Sequence, residues 1–331
     1  MIIDTHCHLS SINYNIKNWE DLYINKYSRY LLFYLAKYYG FKVGCEYSSD
    51  LEIFRNNVVE KTIKNIEDST LDYAILFAID GVYDENGYIK NKESIIYAPN
   101  SFILEQSKKS KKILPGASLN LNRRDVREEL EYILRNDFVL IKLHPSMQQV
   151  NIADEKYIEL YKQIARAEIP LLIHVGFESA LPGYNGIKKY NNIENVELPL
   201  KCGCTVIAAH GGGTPMEFFG SEEETFNKVK KLLDEYPNLY LDNSATYNFH
   251  RPNRAKTMLK YPQYEGRYQY GSDYPNVGAG MIGNIIRVSK RNIFDLDIEE
   301  KKSLGFKENT FANICKFNSR INKHIQPQDG C

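Results

Sequence analysis

The chain has 331 residues, 43% hydrophobic and 25% charged, with 42 basic side chains against 42 acidic ones. That composition excludes a disordered, collagenous or disulfide-miniprotein chain, and zero formal charge gives no electrostatic reason to expect nucleic acid or an anionic membrane as a partner. The length fits two domains, or one β/α barrel of ~250 residues carrying an insertion.

The N-terminus, MIIDTHCHLS, has neither a basic n-region nor a long apolar stretch and contains Asp4, so no signal peptide is expected. Residues 2–8 read as the first strand. The roughly sixty residues at 9–69 are about twice what a simple β/α unit needs and are read as a helical insertion. Within it, YSRYLLFYLAKYYGF (27–41) places Leu31, Leu35 and Tyr38 at helical spacing. It reads as a helix packed on the main body, or as a lid or homodimer contact. It is too short and too charged to span a membrane.

Seven further β-rich runs follow, at 72–79, 113–120, 139–144, 171–175, 205–210, 239–243 and 268–273. Several are wholly apolar, as parallel strands covered on both faces must be, and amphipathic helical patterns lie between them at 124–135, 155–167 and 222–236. Pro170, Pro199 and Pro237 fall where helices should have ended. Eight strands alternating with helices predict an α/β fold, a (β/α)8 TIM barrel over 1–318 with an insertion at about 9–69 and a C-terminal tail at 319–331. The other candidate is an open doubly wound sheet. The six scattered cysteines do not form a disulfide framework, so reduced thiols and a cytoplasmic protein are expected.

Five of the seven histidines, His6, His8, His144, His174 and His210, sit at or beside the C-terminal ends of these strands. A barrel brings such ends together on one rim, where its chemistry is done. In His6-Cys7-His8 the two imidazoles share a strand face about 6.6 Å apart, close enough to converge on one ion, while Cys7 points away. His174, His210 and Asp273 supply further imidazoles and a carboxylate, a donor set that suits Zn²⁺, with Mn²⁺, Fe²⁺ or Co²⁺ as other occupants.

In this order, HxH after strand one, Lys142-Leu-His144-Pro145 at strand four, His174 at strand five, His210-Gly211 at strand six and Ser272-Asp273 at strand eight, the chain resembles the metal-dependent amidohydrolase superfamily. The similar branch is the amidohydrolase-2 group, which includes aminocarboxymuconate semialdehyde decarboxylase. LGFKENTFANICKF (304–317) resembles that group's closing helix. The resemblance implies His6, His8, His174 and Asp273 as ligands of a divalent metal, one ion rather than two, with His210 beside it as a catalytic or substrate-contacting group.

Other residues are expected around that centre. Lys142 is either a carboxylated lysine bridging two metals or an ammonium paired with Asp4, which shares the strand parity of His6 and His8. His144 is a substrate contact or a core histidine. Arg251 is a carboxylate clamp or a surface arginine, and Ser244 and Asn243 end strand seven near the pocket. GAGMIG at 278–283 matches GxGxxG but lacks the βαβ setting of a dinucleotide site. His210-Gly-Gly-Gly has no GxSxG nucleophile elbow to serve. Cys202 and Cys204 read as small buried residues.

The expected activity is hydrolysis of an amide, lactone or ester of a small molecule, with Asp273 and His210 moving protons around a metal-activated water. Lys142, His144, Arg251 and Ser244 contact a substrate that carries a carboxylate. A metal-dependent decarboxylase is the alternative, and a non-catalytic binding barrel is the reading from another class.

Overall fold

The computed structural model describes residues 1–9, 13–17, 21, 51–176, 188–213, 221–247, 251, 253–275 and 291–325. Eight strands, β1 (Ile3–His8), β2 (Tyr73–Phe77), β3 (Ile113–Ser118), β4 (Leu140–Leu143), β5 (Leu171–Ile173), β6 (Val206–Ala208), β7 (Leu239–Asp242) and β8 (Tyr268–Gln269), pair in parallel and in sequence order. Past β8 the chain runs along β1: Thr5 N donates to Tyr270 O (3.0 Å), Asp273 N to His6 O (2.7 Å) and His8 N to Tyr274 O (2.9 Å). These bonds carry the sheet around to its first strand, giving the predicted (β/α)8 barrel.

Among the described residues the α-helices of five residues or more are α1 (Leu51–Glu67), α2 (Asn100–Ser107), α3 (Val126–Arg135), α4 (Ile158–Arg166), α5 (Glu197–Lys201), α6 (Glu222–Glu235), α7 (Arg254–Leu259) and α8 (Ile293–Leu304). Their local chemistry explains them. In α6 the Ser221 hydroxyl accepts from Glu224 N, three glutamates occupy the first turn, and Phe226, Val229, Leu232 and Leu233 form the buried stripe. α3 and α4 have no side-chain cap but likewise carry acidic residues in the first turn and bury Leu130 and Ile133, and Leu160, Tyr161 and Ile164. Pro199 lies inside the first turn of α5, where its missing N–H costs nothing, rather than beyond a helix end as expected.

Strand alternation divides the core in two. Ala74, Leu76, Ile141, Leu143, Leu171, Ile173, Val206, Ala208, Leu239 and Leu241 face the helices. Ile75, Phe77, Leu114, Leu140, Leu172 and Ile207 pack inside the barrel with Ile3, over a floor of Ile314, Ile321 and Ile325. The segment 304–317 is realised as the end of α8 followed by a 3-10 helix (Glu308–Lys316). The expected tail is docked through residue 325. Arg320 donates to the carbonyls of Phe138 (2.7 Å) and Leu134 (3.0 Å), and Ile321 is fully buried, because two isoleucines among polar residues suffice to anchor a short segment.

Inside β1 the register shifts between Asp4 and Cys7. This bulge breaks the simple alternation, so Asp4 does not join His6 and His8 in facing the interior. It closes the seam instead, accepting from Ser272 Oγ (2.6 Å), Ser272 N (2.9 Å) and His6 N (3.0 Å). Burial pushes its carboxyl up to about 6.

Much of the expected 9–69 insertion, including 27–41, lies outside the described residues, as does the 278–283 glycine motif. No helix among the described residues is long and apolar enough to cross a membrane. Cys7, Cys202 and Cys204 are free thiols, whereas Cys315 is disulfide-bonded, which corrects the expectation of reduced thiols throughout.

A buried ion pair braces the last strand. Lys301 of α8 bonds to Gly271 O and lies 2.8 Å from Asp297, whose carboxylate also accepts from Tyr247 and Tyr270. Removing one buried partner strands the other's charge, typically costing about 3–5 kcal/mol. Lys301→Met should lower unfolding free energy in urea by that order, and the double variant Asp297→Leu/Lys301→Met should be more stable than the single one.

Candidate active site

The rim at the C-terminal ends of the strands gathers the predicted residues. β4 ends in Lys142, Leu143 and half-buried His144; β5 leads into His174; β6 into His210; β7 into Asp242 and Ser244; the seam strand into Asp273. Lys142, His174 and Asp242 share the inward parity of Leu140, Leu172 and Tyr240, so one register rule lifts them above the apolar interior.

His6, His8 and Asp273 converge. His6 Nε2 lies 3.0 Å from His8 Nε2 and 3.4 Å from Asp273 Oδ1, and His8 Nε2 lies 3.7 Å from the same oxygen. Around one ion with ~2.1 Å bonds the edge of a tetrahedron is about 3.4 Å, so this spacing fits a shared cation. Burial holds both imidazoles well below their ordinary pKa, with the Lys142 charge adding to the effect at His6. Neutral rings offer lone pairs, as a metal requires.

The lone pair of His6 is aimed by Asp242, a residue the sequence reading missed. Its Oδ2 lies 2.7 Å from His6 Nδ1. A carboxylate only accepts, so the ring proton sits on Nδ1 and Nε2 is left bare toward His8 and Asp273. Asp242 Oδ1 meanwhile accepts from His210 N (2.7 Å), Ser244 N (3.0 Å) and Ser244 Oγ (2.6 Å). His6, His210 and Asp242 also lie within ion-ligand reach of one another. That space is already closed by these hydrogen bonds, so the His8 side is the better cation site. The signal available in sequence was an aspartate ending an otherwise apolar strand, in phase with Ser244.

His174 turns one ring nitrogen to His210. Its Nδ1 faces His210 Nε2 at 3.1 Å, and His144 stacks on it with ring centroids 4.0 Å apart. His210 Nδ1 lies 2.9 Å from Ser244 Oγ and 3.2 Å from Ser244 O. The carbonyl can only accept, which favours a proton on His210 Nδ1 and a bare Nε2 that accepts from His174. Burial, reinforced at His210 by the Arg251 charge and at His174 by His144, holds both rings well below their usual pKa.

Lys142 is buried, and its Nζ lies 2.8 Å from His6 Nε2. The expected Asp4 partner is engaged at the seam instead, a consequence of the β1 bulge. Arg251 is only 3% exposed, which rules out a surface arginine. Asn243 serves the backbone, accepting from Gly271 N at 3.2 Å. Cys7 is buried in the helix-facing core and Cys204 bonds to Tyr161 O, both structural positions.

Three of the six described non-glycine residues at positive φ lie here. His210 (φ 58°), Ala245 (φ 49°) and Asp273 (φ 63°) occupy the left-handed region, which costs non-glycine residues on the order of 1–3 kcal/mol each. The bonds to Asp242 and His6 O hold the first and last of these in place. After His210 three glycines follow at positive φ, and a Cβ on Gly212 would meet Val229 at 2.7 Å.

The amidohydrolase family model (Amidohydro_2) matches residues 3–282. The chain belongs to that family. Its members are amidohydrolase-type, metal-dependent enzymes, and this chain is one of them. A search of curated proteins finds no significant match. Among solved structures, the chain is similar to an uncharacterized TIM-barrel protein from Bordetella bronchiseptica (TM-score 0.61, 16% identity, 98% of this chain and 97% of that one). It is also similar to a probable 2-pyrone-4,6-dicarboxylic acid hydrolase from Acinetobacter baumannii with citric acid bound (0.55, 14%, 97% and 97%). A third is 4-oxalomesaconate hydratase from Rhodopseudomonas palustris (0.56, 15%, 99% and 99%). At these identities the structural likeness speaks for the fold.

Asp242→Asn tests the assignment of that residue. An amide must turn its NH₂ toward either His6 Nδ1–H or the His210 and Ser244 donors. Stability should fall by about 1–3 kcal/mol. Metal affinity, measured by competition with a chromophoric chelator, should fall about 10–100-fold.

Proposed function

We propose that this enzyme hydrolyses an ester, lactone or amide bond in a small carboxylate-bearing molecule, using one divalent cation, zinc, held by His6, His8 and Asp273. The observation that carries the reading is the convergence of two neutral imidazole nitrogens and a carboxylate oxygen at 3.0, 3.4 and 3.7 Å. Three protein ligands and an open position are what a catalytic, as opposed to structural, zinc site uses. His174, expected as a fourth ligand, is assigned here to the substrate side with His210.

When bound, such a cation supplies Lewis-acid polarisation and acidifies water, whose pKa falls from ~15.7 to about 7 on zinc. The protein supplies the proton handling. Asp273, at the edge of the site and 9% exposed, is the base proposed for the attacking water. His210, its Nδ1 proton anchored on Ser244, relays the proton that Asp273 takes from the water to the leaving group through Nε2, once the bond from His174 to that nitrogen opens. His174 Nδ1 stands 3.1 Å from that nitrogen and orients it.

Arg251 is the carboxylate clamp. It is buried, and its charge is felt at His6, His174 and His210, so an anion bound there lies beside the reacting groups. The citrate held by the Acinetobacter baumannii protein supports a carboxylate-bearing ligand.

Gently purified protein should carry close to one transition-metal ion per chain by elemental analysis. With lactones, esters and amides of small carboxylic acids in ¹⁸O-water, turnover should place one label in the product. Release of CO₂ without label would replace hydrolysis by decarboxylation. Asp273→Asn should lower kcat by about 10²–10⁴-fold, the usual worth of a general base; wild-type turnover in that variant would refute its role.

A further inference from the structure

We infer, on the reading of His210 as the proton carrier, that Asn191 is a positioning residue for the relay. It clasps the loops that follow β4 and β5, and through Gly176 the loop that follows β6, and so fixes how His174 meets His210. Asn191 closes the 3-10 helix Lys188–Asn191 in the β5–β6 connection and is 2% exposed. Both ends of its side-chain amide are engaged. Oδ1 accepts from Ser146 N (3.0 Å), while Nδ2 donates to Ser146 Oγ (2.9 Å) and to Gly176 O (3.1 Å). Its own carbonyl accepts from Gly176 N (2.8 Å).

The loops it joins are those of the stacked histidines. Ser146 stands two residues past His144 and Gly176 two residues past His174, whose rings lie 4.0 Å apart and 15° from parallel. Gln148 fastens the first loop again: its Oε1 accepts from His144 N (2.8 Å) and its Nε2 donates to Ser118 Oγ of β3 (3.2 Å). A third loop leans on the second. Gly213, three residues past His210, lies so near Gly176 that a Cβ on it would stand 2.8 Å from Gly176 N, and both glycines have positive φ (81° and 83°). The backbone that carries His144, His174 and His210 is therefore one bonded and packed unit, with Asn191 inside it.

The relay needs such a frame. Passing a proton through His210 Nε2 requires the 3.1 Å bond from His174 Nδ1 to open and re-form in every turnover. Ring rotation does this reversibly only while both backbones stay in place, and loops are the more mobile parts of a fold. A misplacement of ~1 Å costs up to about 10²-fold in rate. Asparagine suits the task because it offers an acceptor and two donors at one point; aspartate lacks the donor for Gly176 O, and leucine lacks donor and acceptor alike.

Asn191→Asp keeps an acceptor for Ser146 N but sets a carboxylate oxygen against Gly176 O, parting the β5 loop from the β4 loop at nearly constant volume. Asn191→Leu removes both links; if it does not fold, Asn191→Asp decides. In ¹H–¹⁵N spectra of the histidine rings, gently purified wild-type protein should show slowly exchanging downfield protons on His6 Nδ1 and His174 Nδ1. The variants should lose the His174 signal and keep that of His6, which Asp242 holds. In Asn191→Asp, both signals unchanged or both lost overturns the proposal, as does a wild-type spectrum without the His174 signal. With a substrate that wild type turns over, kcat per folded chain should fall about 10–100-fold in Asn191→Asp, with bound metal per chain unaltered and KM changing less than kcat. Unchanged kcat overturns the positioning role. The ring protons are read without substrate, so they decide the clasp even if hydrolysis is the wrong reading, and the two failures are distinguished.

Discussion

The site depends on one buried carboxylate. Asp242 holds the Nδ1 proton of His6 with one oxygen and the backbone N–H of His210 with the other. The first bond decides which His6 nitrogen is bare, and hence where a cation can be bound. The second holds His210 in a left-handed backbone conformation that it would not adopt unaided. Both halves of the proposed chemistry, cation binding and proton transfer, therefore hang on a residue that touches neither the cation nor the reacting bond.

The barrel makes that arrangement affordable. Its interior below the rim is packed with Ile75, Leu114, Leu140, Leu172 and Ile207, an apolar layer beneath the polar one. Burial then drives His6, His8, His174 and His210 toward their neutral forms, and neutral imidazoles serve both as ligands and as proton acceptors. The remaining charges are arranged in complementary fashion. Asp4 locks the β1–β8 seam, the Lys301–Asp297 pair holds the carbonyl of Gly271 before Ser272, and the charges of Lys142 and Arg251 act on His6, His174 and His210.

The strands were legible because parallel strands covered on both faces must be apolar, and each expected run contains an observed strand. Expected ends at 120, 144, 175 and 210 overran the pairing by a few residues. Those residues, among them His144 and His210, have already left the sheet to form the rim. The HxH motif, His210 and Asp273 were legible for the same reason, as polar residues at the ends of apolar runs. Asp242 was passed over in favour of its neighbours Asn243 and Ser244, since only the fold shows that its carboxylate reaches His6, 236 residues away. The partner of Lys142 was misread because a register shift inside β1 is invisible to a period-two count. His174 was placed with the metal by resemblance; the contact of its Nδ1 with His210 could be seen only in the folded chain.

The central claim is that one cation belongs on the Nε2 side of His6, the side Asp242 leaves bare. An anomalous-difference map from crystals soaked in cobalt measures this directly. The account predicts a single peak within about 2–2.5 Å of His6 Nε2, His8 Nε2 and the Asp273 carboxylate. A peak on the Nδ1 side, between His6, His210 and Asp242, would contradict it.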